Sequence, residues 1–190
     1  VLIEAKEIQP VILLTKMDLL DDVKGPAVRE AFAAYRKIGY TVIETSSETL
    51  TGVEQVRPLL AGKTSVLAGQ SGVGKSSLLN ALEPTLDLET SAISKSLGRG
   101  RHTTRHVTLM PLAEGLIADT PGFSNLDFPY DMEIEDVRWS FPEFVAVQDE
   151  CKYRGCLHLN EPGCAVKEAV EAQEIMSSRY ENYGMFIDEI

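Results

Sequence analysis

Apolar residues fall into short runs divided by polar clusters and glycine, and the period of those runs alternates along the first two thirds of the chain. Residues 10–14 are a β-branched and leucine run that stops at a polar cluster, as a buried parallel strand does. Residues 21–37 place Val28, Ala31, Phe32 and Tyr35 at helical spacing, with Gly39 just past the end. The pattern then predicts a strand over 40–44, a short helix over 53–60 interrupted by Pro58, a strand over 65–68 and a helix over 75–82. Residues 107–111 and 115–118 predict paired strands around a turn at 113–115. Strands alternating with helices at this spacing imply an α/β domain with a mostly parallel sheet.

After about Asp127 the pattern changes. Residues 128–190 are aromatic, acidic and Cys/His-bearing, with one long helical pattern over 164–176. Gly184 interrupts a further stretch containing Arg179, Tyr180 and Tyr183. The expected division is a domain over 1–130 and a smaller helical domain over 131–190.

The 190 residues, 44% of them hydrophobic and 25% charged, suit one ordinary domain with an appendage. The longest apolar run is strand-sized, far below the roughly 18–20 residues of a membrane span. No basic-then-apolar leader is visible, and a start at Val1 reads as a piece of a longer polypeptide. A net charge of -11 argues against a general nucleic-acid binder, although Arg99, Arg101 and Arg105 cluster locally. All three cysteines fall between Cys151 and Cys164, which points to metal ligation in a reducing, cytoplasmic setting rather than to disulfides.

Gly69-Gln70-Ser71-Gly72-Val73-Gly74-Lys75-Ser76, followed by Ser77, fits G-x-x-x-x-G-K-[ST] between a predicted strand and helix. Glycines let successive N–H groups point inward at phosphates, at the positive end of a helix. Lys75 brings a cation to the β- and γ-phosphates, and the Ser76 hydroxyl is a magnesium ligand. The strand over 115–118 runs into Asp119-Thr120-Pro121-Gly122, a D-x-x-G. There Asp119 holds magnesium through water and the Gly122 N–H reaches the γ-phosphate. Alone, D-x-x-G is a common turn; beside the glycine loop it gains weight.

Thr15-Lys16-Met17-Asp18 follows the first strand. A carboxylate at Asp18 can accept from guanine N1–H and the N2 amine together, donors that adenine lacks. Lys16 would lay its aliphatic stem along the base. Glu44-Thr45-Ser46-Ser47 closes another strand, where a backbone N–H could meet guanine O6. A solvated charged turn would read the same way at either place. Order is the informative part: Asp18 and Ser46 precede Gly69, so the base and phosphate motifs are circularly permuted. A permuted chain can keep the same packed sheet, because only the connections change.

Together with Gly98-Arg99-Gly100-Arg101-His102-Thr103-Thr104 and the terminal Cys/His cluster, this arrangement resembles the RsgA/YjeQ family of ribosome small subunit-dependent GTPases, over nearly the whole chain. The resemblance implies a P-loop NTPase fold with permuted GTPase motifs plus a C-terminal helical zinc domain. It also implies GTP/GDP and Mg²⁺ as ligands, hydrolysis in the cytoplasm, and the small ribosomal subunit and its rRNA as partners. Neither a membrane partner nor a stable oligomer is expected. Family members carry an N-terminal RNA-binding OB-fold that this sequence lacks.

The segment 101–105 occupies the place of a first switch, with Thr104 ahead of Thr103 as the residue for magnesium and the γ-phosphate; without ligand it is expected to be disordered. Phe123 stands where Ras-like enzymes carry a water-orienting glutamine, and His102 is the candidate to replace it. Thr15 in place of the commoner Asn departs from the strict base motif and is expected to weaken nucleotide affinity. Cys151-x4-Cys156-x-His158-x5-Cys164 supplies three thiolates and one imidazole. That is the donor set of one closed structural Zn²⁺ site, with no slot left for water. Lys152, Arg154 and the Arg179 region are the cations expected to face rRNA. Two other classes remain open: a permuted GTPase of the large subunit, which usually lacks this cluster, and a non-catalytic zinc module that only senses nucleotide.

Overall fold

A computed structural model describes residues 1–88, 108–119, 129 and 131–190. Backbone contacts divide the chain into two compact units. One comprises Val11–Glu30 and Val42–Leu126 and holds the glycine loop. The other comprises Val1–Pro10, Ala31–Thr41 and Asp127–Ile190 and holds the cysteines.

In the glycine-loop unit, β1 (Val11–Leu14) lies next to β2 (Thr41–Glu44) in a two-stranded sheet. A three-stranded sheet has the order β3 (Thr64–Val66), β5 (Gly115–Asp119), β4 (Thr108–Leu112). β3 runs parallel to β5, and β4 is its antiparallel hairpin partner. The register pairs Leu112 with Gly115, so the turn consists of Ala113 and Glu114 alone, both left-handed at φ 48° and 61°. Two-residue hairpins favour such turns because their twist matches that of the strands, although Asn-Gly is the usual occupant. The Glu114 carbonyl accepts from Gly62 N–H at 2.9 Å, which helps hold the turn. Strand β1 is half-buried, not the buried strand that its apolar run predicts.

Period-2 alternation turns Leu112 and Ile117 into the core. There they join Val53, Val56 and Leu60 of α2 (Val53–Leu60) and Leu78, Leu79 and Leu82 of α3 (Lys75–Leu82). Burying each such side chain contributes about 2 kcal/mol. Arg57 of α2 donates to the Leu82 carbonyl at 2.7 Å and so satisfies one of the free acceptors at the end of α3. The first turn of α1 (Lys24–Ile38) is capped by the Asp21 carboxylate, which accepts from Val23 N–H at 3.1 Å and Lys24 N–H at 2.7 Å.

The cysteine unit is helical: α4 (Ile134–Trp139), α5 (Pro142–Val145), α6 (Ala165–Glu171) and α7 (Ser177–Glu189). Two sequence expectations are corrected here. The long helix over 164–176 is broken after Glu171, because Gln173 takes a left-handed φ of 61°. Its N–H then bonds the Val170 carbonyl (3.0 Å) and Glu174 N–H bonds the Ala169 carbonyl (2.9 Å), a Schellman ending with glutamine in the glycine position. Conversely, Gly184 does not interrupt a helix but lies inside α7.

The core of this unit is aromatic. Phe141, Phe144 and Tyr183 are fully buried; Phe141 stacks on Phe144 at 4.9 Å and meets Tyr183 edge-on at 5.3 Å. Arg179 is not the exposed cation that the sequence suggests. It grips Glu143 through two hydrogen bonds of 2.6 and 3.0 Å, with side-chain exposures of 13% and 9%, and its guanidinium lies 4.6 Å from the Phe141 ring centroid. Burial acts to lower the Arg179 pKa, but the Glu143 carboxylate outweighs it and holds the group charged. Removing one partner leaves a buried charge alone, so Glu143→Ala is expected to destabilise this unit by about 3 kcal/mol. Chemical denaturation followed by far-UV circular dichroism measures this; a loss under about 1 kcal/mol, the value of an exposed pair, contradicts it.

Candidate functional site

Two loops far apart in sequence are fastened together. The Thr15 hydroxyl, just past β1, donates to the Val73 carbonyl of the glycine loop at 2.7 Å across 58 residues. Next to it, Lys16 is left-handed (φ 58°), and its Cε lies 3.9 Å from where a Cβ on Gly74 would sit. The predicted base-reading and phosphate loops are therefore neighbours, as a single ligand spanning both requires.

The base side is knit from the ends of β1 and β2. Thr45 N–H donates to the Leu14 carbonyl at 2.7 Å, and Met17 N–H donates to the Thr45 carbonyl at 3.1 Å. The buried Ser46 hydroxyl donates to the exposed Asp18 carboxylate at 2.5 Å and accepts from Thr49 N–H at 3.1 Å. Asp18 is thus oriented before any ligand arrives. Ser46 N–H is committed to the Thr51 carbonyl at 2.9 Å, so of the Ser46–Ser47 pair it is Ser47 that can offer an N–H to a base.

On the phosphate side, Gly72 and Gly74 have φ of 78° and 102°, conformations that L side chains rarely adopt. Gly74 caps the N-terminus of α3, which aims the positive end of the helix dipole into the loop. The Lys75 ammonium donates to the Gly69 (2.5 Å) and Gln70 (2.9 Å) carbonyls, and Ser76 is buried on the first turn. Asn80 clamps Leu88 with a paired bond, Nδ2 to its carbonyl at 2.7 Å and Oδ1 from its N–H at 2.9 Å. Asp119 closes β5, its backbone in register with Thr108. Its side chain, and His102, Thr103, Thr104, Gly122, Phe123 and the arginines at 99, 101 and 105, lie outside the described residues.

In the cysteine unit, the ligand atoms of Cys151, Cys156, His158 and Cys164 all lie within 4.8 Å of one another. His158 Nδ1 is 3.6 Å from Cys151 Sγ and 3.4 Å from Cys164 Sγ. A tetrahedral zinc with ordinary Zn–S and Zn–N bonds has N···S edges of about 3.5 Å, so the residues fit the ion. Burial pushes the Cys156 thiol up to about 12, and burial followed by the charge of Arg138 pushes the His158 imidazole down to about 4. Such a site resists an isolated thiolate and favours a neutral imidazole; a bound divalent cation reverses the first and welcomes the second.

The loop that presents His158 depends on residues that the sequence reading missed. Glu161 accepts from the backbone N–H groups of Leu157 (2.8 Å), Leu159 (3.0 Å) and Asn160 (3.1 Å). Burial alone raises its pKa, but those donors outweigh it and hold the carboxyl below the usual range. Tyr180 and Tyr183 donate their hydroxyls to the His158 and Leu157 carbonyls at 2.6 and 2.7 Å. The available signal was an acidic residue in Glu161-Pro162-Gly163, between two ligands, where a carboxylate can organise a turn.

The RsgA GTPase family model matches residues 1–129. The chain belongs to that family. Over all 190 residues it is 57% identical to the small ribosomal subunit biogenesis GTPase RsgA of Geobacillus sp. strain WCH70, and over 188 residues 54% identical to that of Shouchella clausii. The chain spans 64% of the length of each of these relatives. A crystal structure of YloQ, described as a circularly permuted GTPase, superposes with TM-score 0.80 at 46% identity, covering 100% of this chain and 59% of YloQ. YjeQ from Thermotoga maritima gives 0.83 at 41%, covering 99% of this chain and 62% of that one. The fold is thus that of the circularly permuted P-loop GTPases, with base motifs ahead of the phosphate loop. Among the described residues no helix is long and apolar enough to cross a membrane.

Proposed function

We propose that this chain is the nucleotide-hydrolysing and zinc-bearing part of a cytoplasmic, monomeric GTPase that assists maturation of the small ribosomal subunit and is stimulated by it. The observation that carries the nucleotide part is the Thr15–Val73 hydrogen bond, which puts the base and phosphate loops side by side. The ribosomal part rests on the relatives named above. In this reading residues 1–130 bind and hydrolyse GTP, and 131–190 form the zinc domain.

Asp18, already held by Ser46, accepts from guanine N1–H and the N2 amine. Lys16 covers the base, and Ser47 N–H meets O6. The backbone of the loop from Gly69 to Ser77 cradles the phosphates, and Lys75 exchanges its loop carbonyls for β- and γ-phosphate oxygens. Ser76, Thr104 and Asp119 would hold magnesium, which would supply charge neutralisation to the phosphates. Gly122 donates to the γ-phosphate. Water adds to the γ-phosphorus as its bond to the bridging oxygen breaks, giving GDP and inorganic phosphate. Phe123 has no group to orient that water, and His102 is assigned the task. Cys151, Cys156, His158 and Cys164 hold one zinc ion, which supplies a rigid cross-link for the loop.

GTP turnover measured with and without purified small subunits tests the reading. Stimulation is expected, and its absence removes the ribosomal assignment. His102→Ala is expected to lower stimulated turnover about 100-fold while leaving nucleotide affinity unchanged. Turnover near that of the parent chain removes the role given to His102.

A further inference from the structure

A metal-binding imidazole usually donates its second N–H to a carboxylate, a carbonyl or water, which fixes its tautomer and its aim. The histidine of the cysteine cluster lacks that support. His158 turns Nδ1 to the sulfurs of Cys151 and Cys164, and its buried Nε2 has no partner among the described residues. Its main chain is left-handed at φ 60°, a conformation disfavoured for a residue with a Cβ. Something other than a bond to the ring must therefore keep this ligand in place.

The backbone around it is held instead. Three of the four N–H groups of residues 157–160 end on one carboxylate: Leu157 N–H donates to Glu161 Oε1, and Leu159 and Asn160 N–H donate to Oε2. The carbonyls of Leu157 and His158 are taken by the hydroxyls of Tyr183 and Tyr180 on α7. We propose that Glu161 is a positioning residue for the zinc site: through the main chain of residues 157–160 it holds the His158 ring where Nδ1 completes the donor set. This deepens the zinc reading given above and rests on it. Glutamine at 161 would have the same shape but a single acceptor. With its oxygen toward Leu157, its amide NH₂ opposes the N–H groups of Leu159 and Asn160; turned round, it leaves Leu157 N–H without an acceptor. His158 could then relax from its left-handed conformation and withdraw the imidazole, leaving three thiolates and a position open to water.

The test replaces zinc by cobalt(II) in the full chain and records the visible spectrum at saturation, with zinc affinity measured by competition against a coloured chelator. His158→Ala gives the reference spectrum of a site without its imidazole. Glu161→Gln is expected to weaken zinc binding about 10- to 100-fold and to move the cobalt spectrum toward that reference. Glu143→Ala weakens the same unit at the Arg179 pair rather than at the loop, and is expected to fill with cobalt and give the parent spectrum. The comparison separates aim from stability, because metal affinity can fall through folding alone whereas the spectrum of the filled site does not. Failure of Glu161→Gln to take up cobalt while Glu143→Ala fills also supports the proposal. A parent-like spectrum in Glu161→Gln overturns it, as does equal loss of uptake in both variants, which would leave Glu161 only a part in stabilising the fold. A parent chain that binds neither metal removes the zinc reading itself, and this inference with it.

Discussion

Replacing Cys156 with Ser is expected to abolish stoichiometric zinc and unfold the cysteine unit, while guanine-nucleotide binding survives. The reason lies in what surrounds the cluster. His158 is fully buried, with its ring 6.0 Å from that of Phe144 and 6.3 Å from that of Tyr183, the residues at the centre of the aromatic core. Its Nε2 has no hydrogen-bond partner among the described residues, so the imidazole is tethered polar-wise only through Nδ1, at the sulfurs. Structural zinc contributes about 10–16 kcal/mol in small metal-dependent folds, as much as the whole stability of an ordinary domain. Helices of the lengths seen here, 4 to 13 residues, do not stand alone in water. Trp139, the only tryptophan, belongs to this unit, so its fluorescence reports the loss directly. The glycine-loop unit has its own apolar core and should keep its ligand. A chain that loses zinc to a chelator yet keeps its helix content and melting temperature would sink the structural role of the metal.

The same two units show what a sequence displays and what it hides. Helix α1 ends where Gly39 suggests: Gly39 is left-handed at φ 113°, and Gly39 and Tyr40 N–H close on the Arg36 and Tyr35 carbonyls, each at 3.1 Å. Helix α6 ends by the same pair of bonds, but Gln173 takes the strained position, so no glycine announces the stop and the apolar period runs on past it. Tertiary packing explains the difference: Ile175, just beyond the turn, is buried with Val166 and Ala169, and that burial offsets the cost of a left-handed glutamine. The cysteine cluster was legible because ligation demands particular donors at short spacing. Glu143–Arg179 was not, because an ion pair between residues 36 positions apart has no local pattern. The Thr15–Val73 bond lies between these cases. Each of its loops carried a motif, but their adjacency across 58 residues is a property of the fold.

Asp18→Ala is expected to remove most of the preference for guanine, lowering the ratio of GDP to ADP affinity from about 10⁴ to about ten, the share left to the Ser47 N–H at O6. The magnitude follows from asymmetry in hydrogen bonding rather than from the strength of one contact. Guanine offers N1–H and N2–H together to one carboxylate, a charge-assisted and bidentate pairing. Adenine presents an acceptor at N1, so the carboxylate loses its partner and meets a like partial charge. Preorganisation sharpens the contrast, because the Ser46 hydroxyl fixes one carboxylate oxygen at 2.5 Å and is itself held by Thr49 N–H at 3.1 Å. Removing that support by Ser46→Ala should therefore cost selectivity too, by roughly tenfold, the value of one hydrogen bond to a charged group. In the proposed reading the phosphates are held elsewhere, by the glycine loop and Lys75, so Asp18→Ala should still hold a nucleotide weakly and with little regard to its base. Titrations of fluorescent GDP and ADP analogues against both variants give the ratios. If Asp18→Ala keeps its guanine preference, the carboxylate is not the reader, and the base must be recognised from the Ser46–Ser47 side alone.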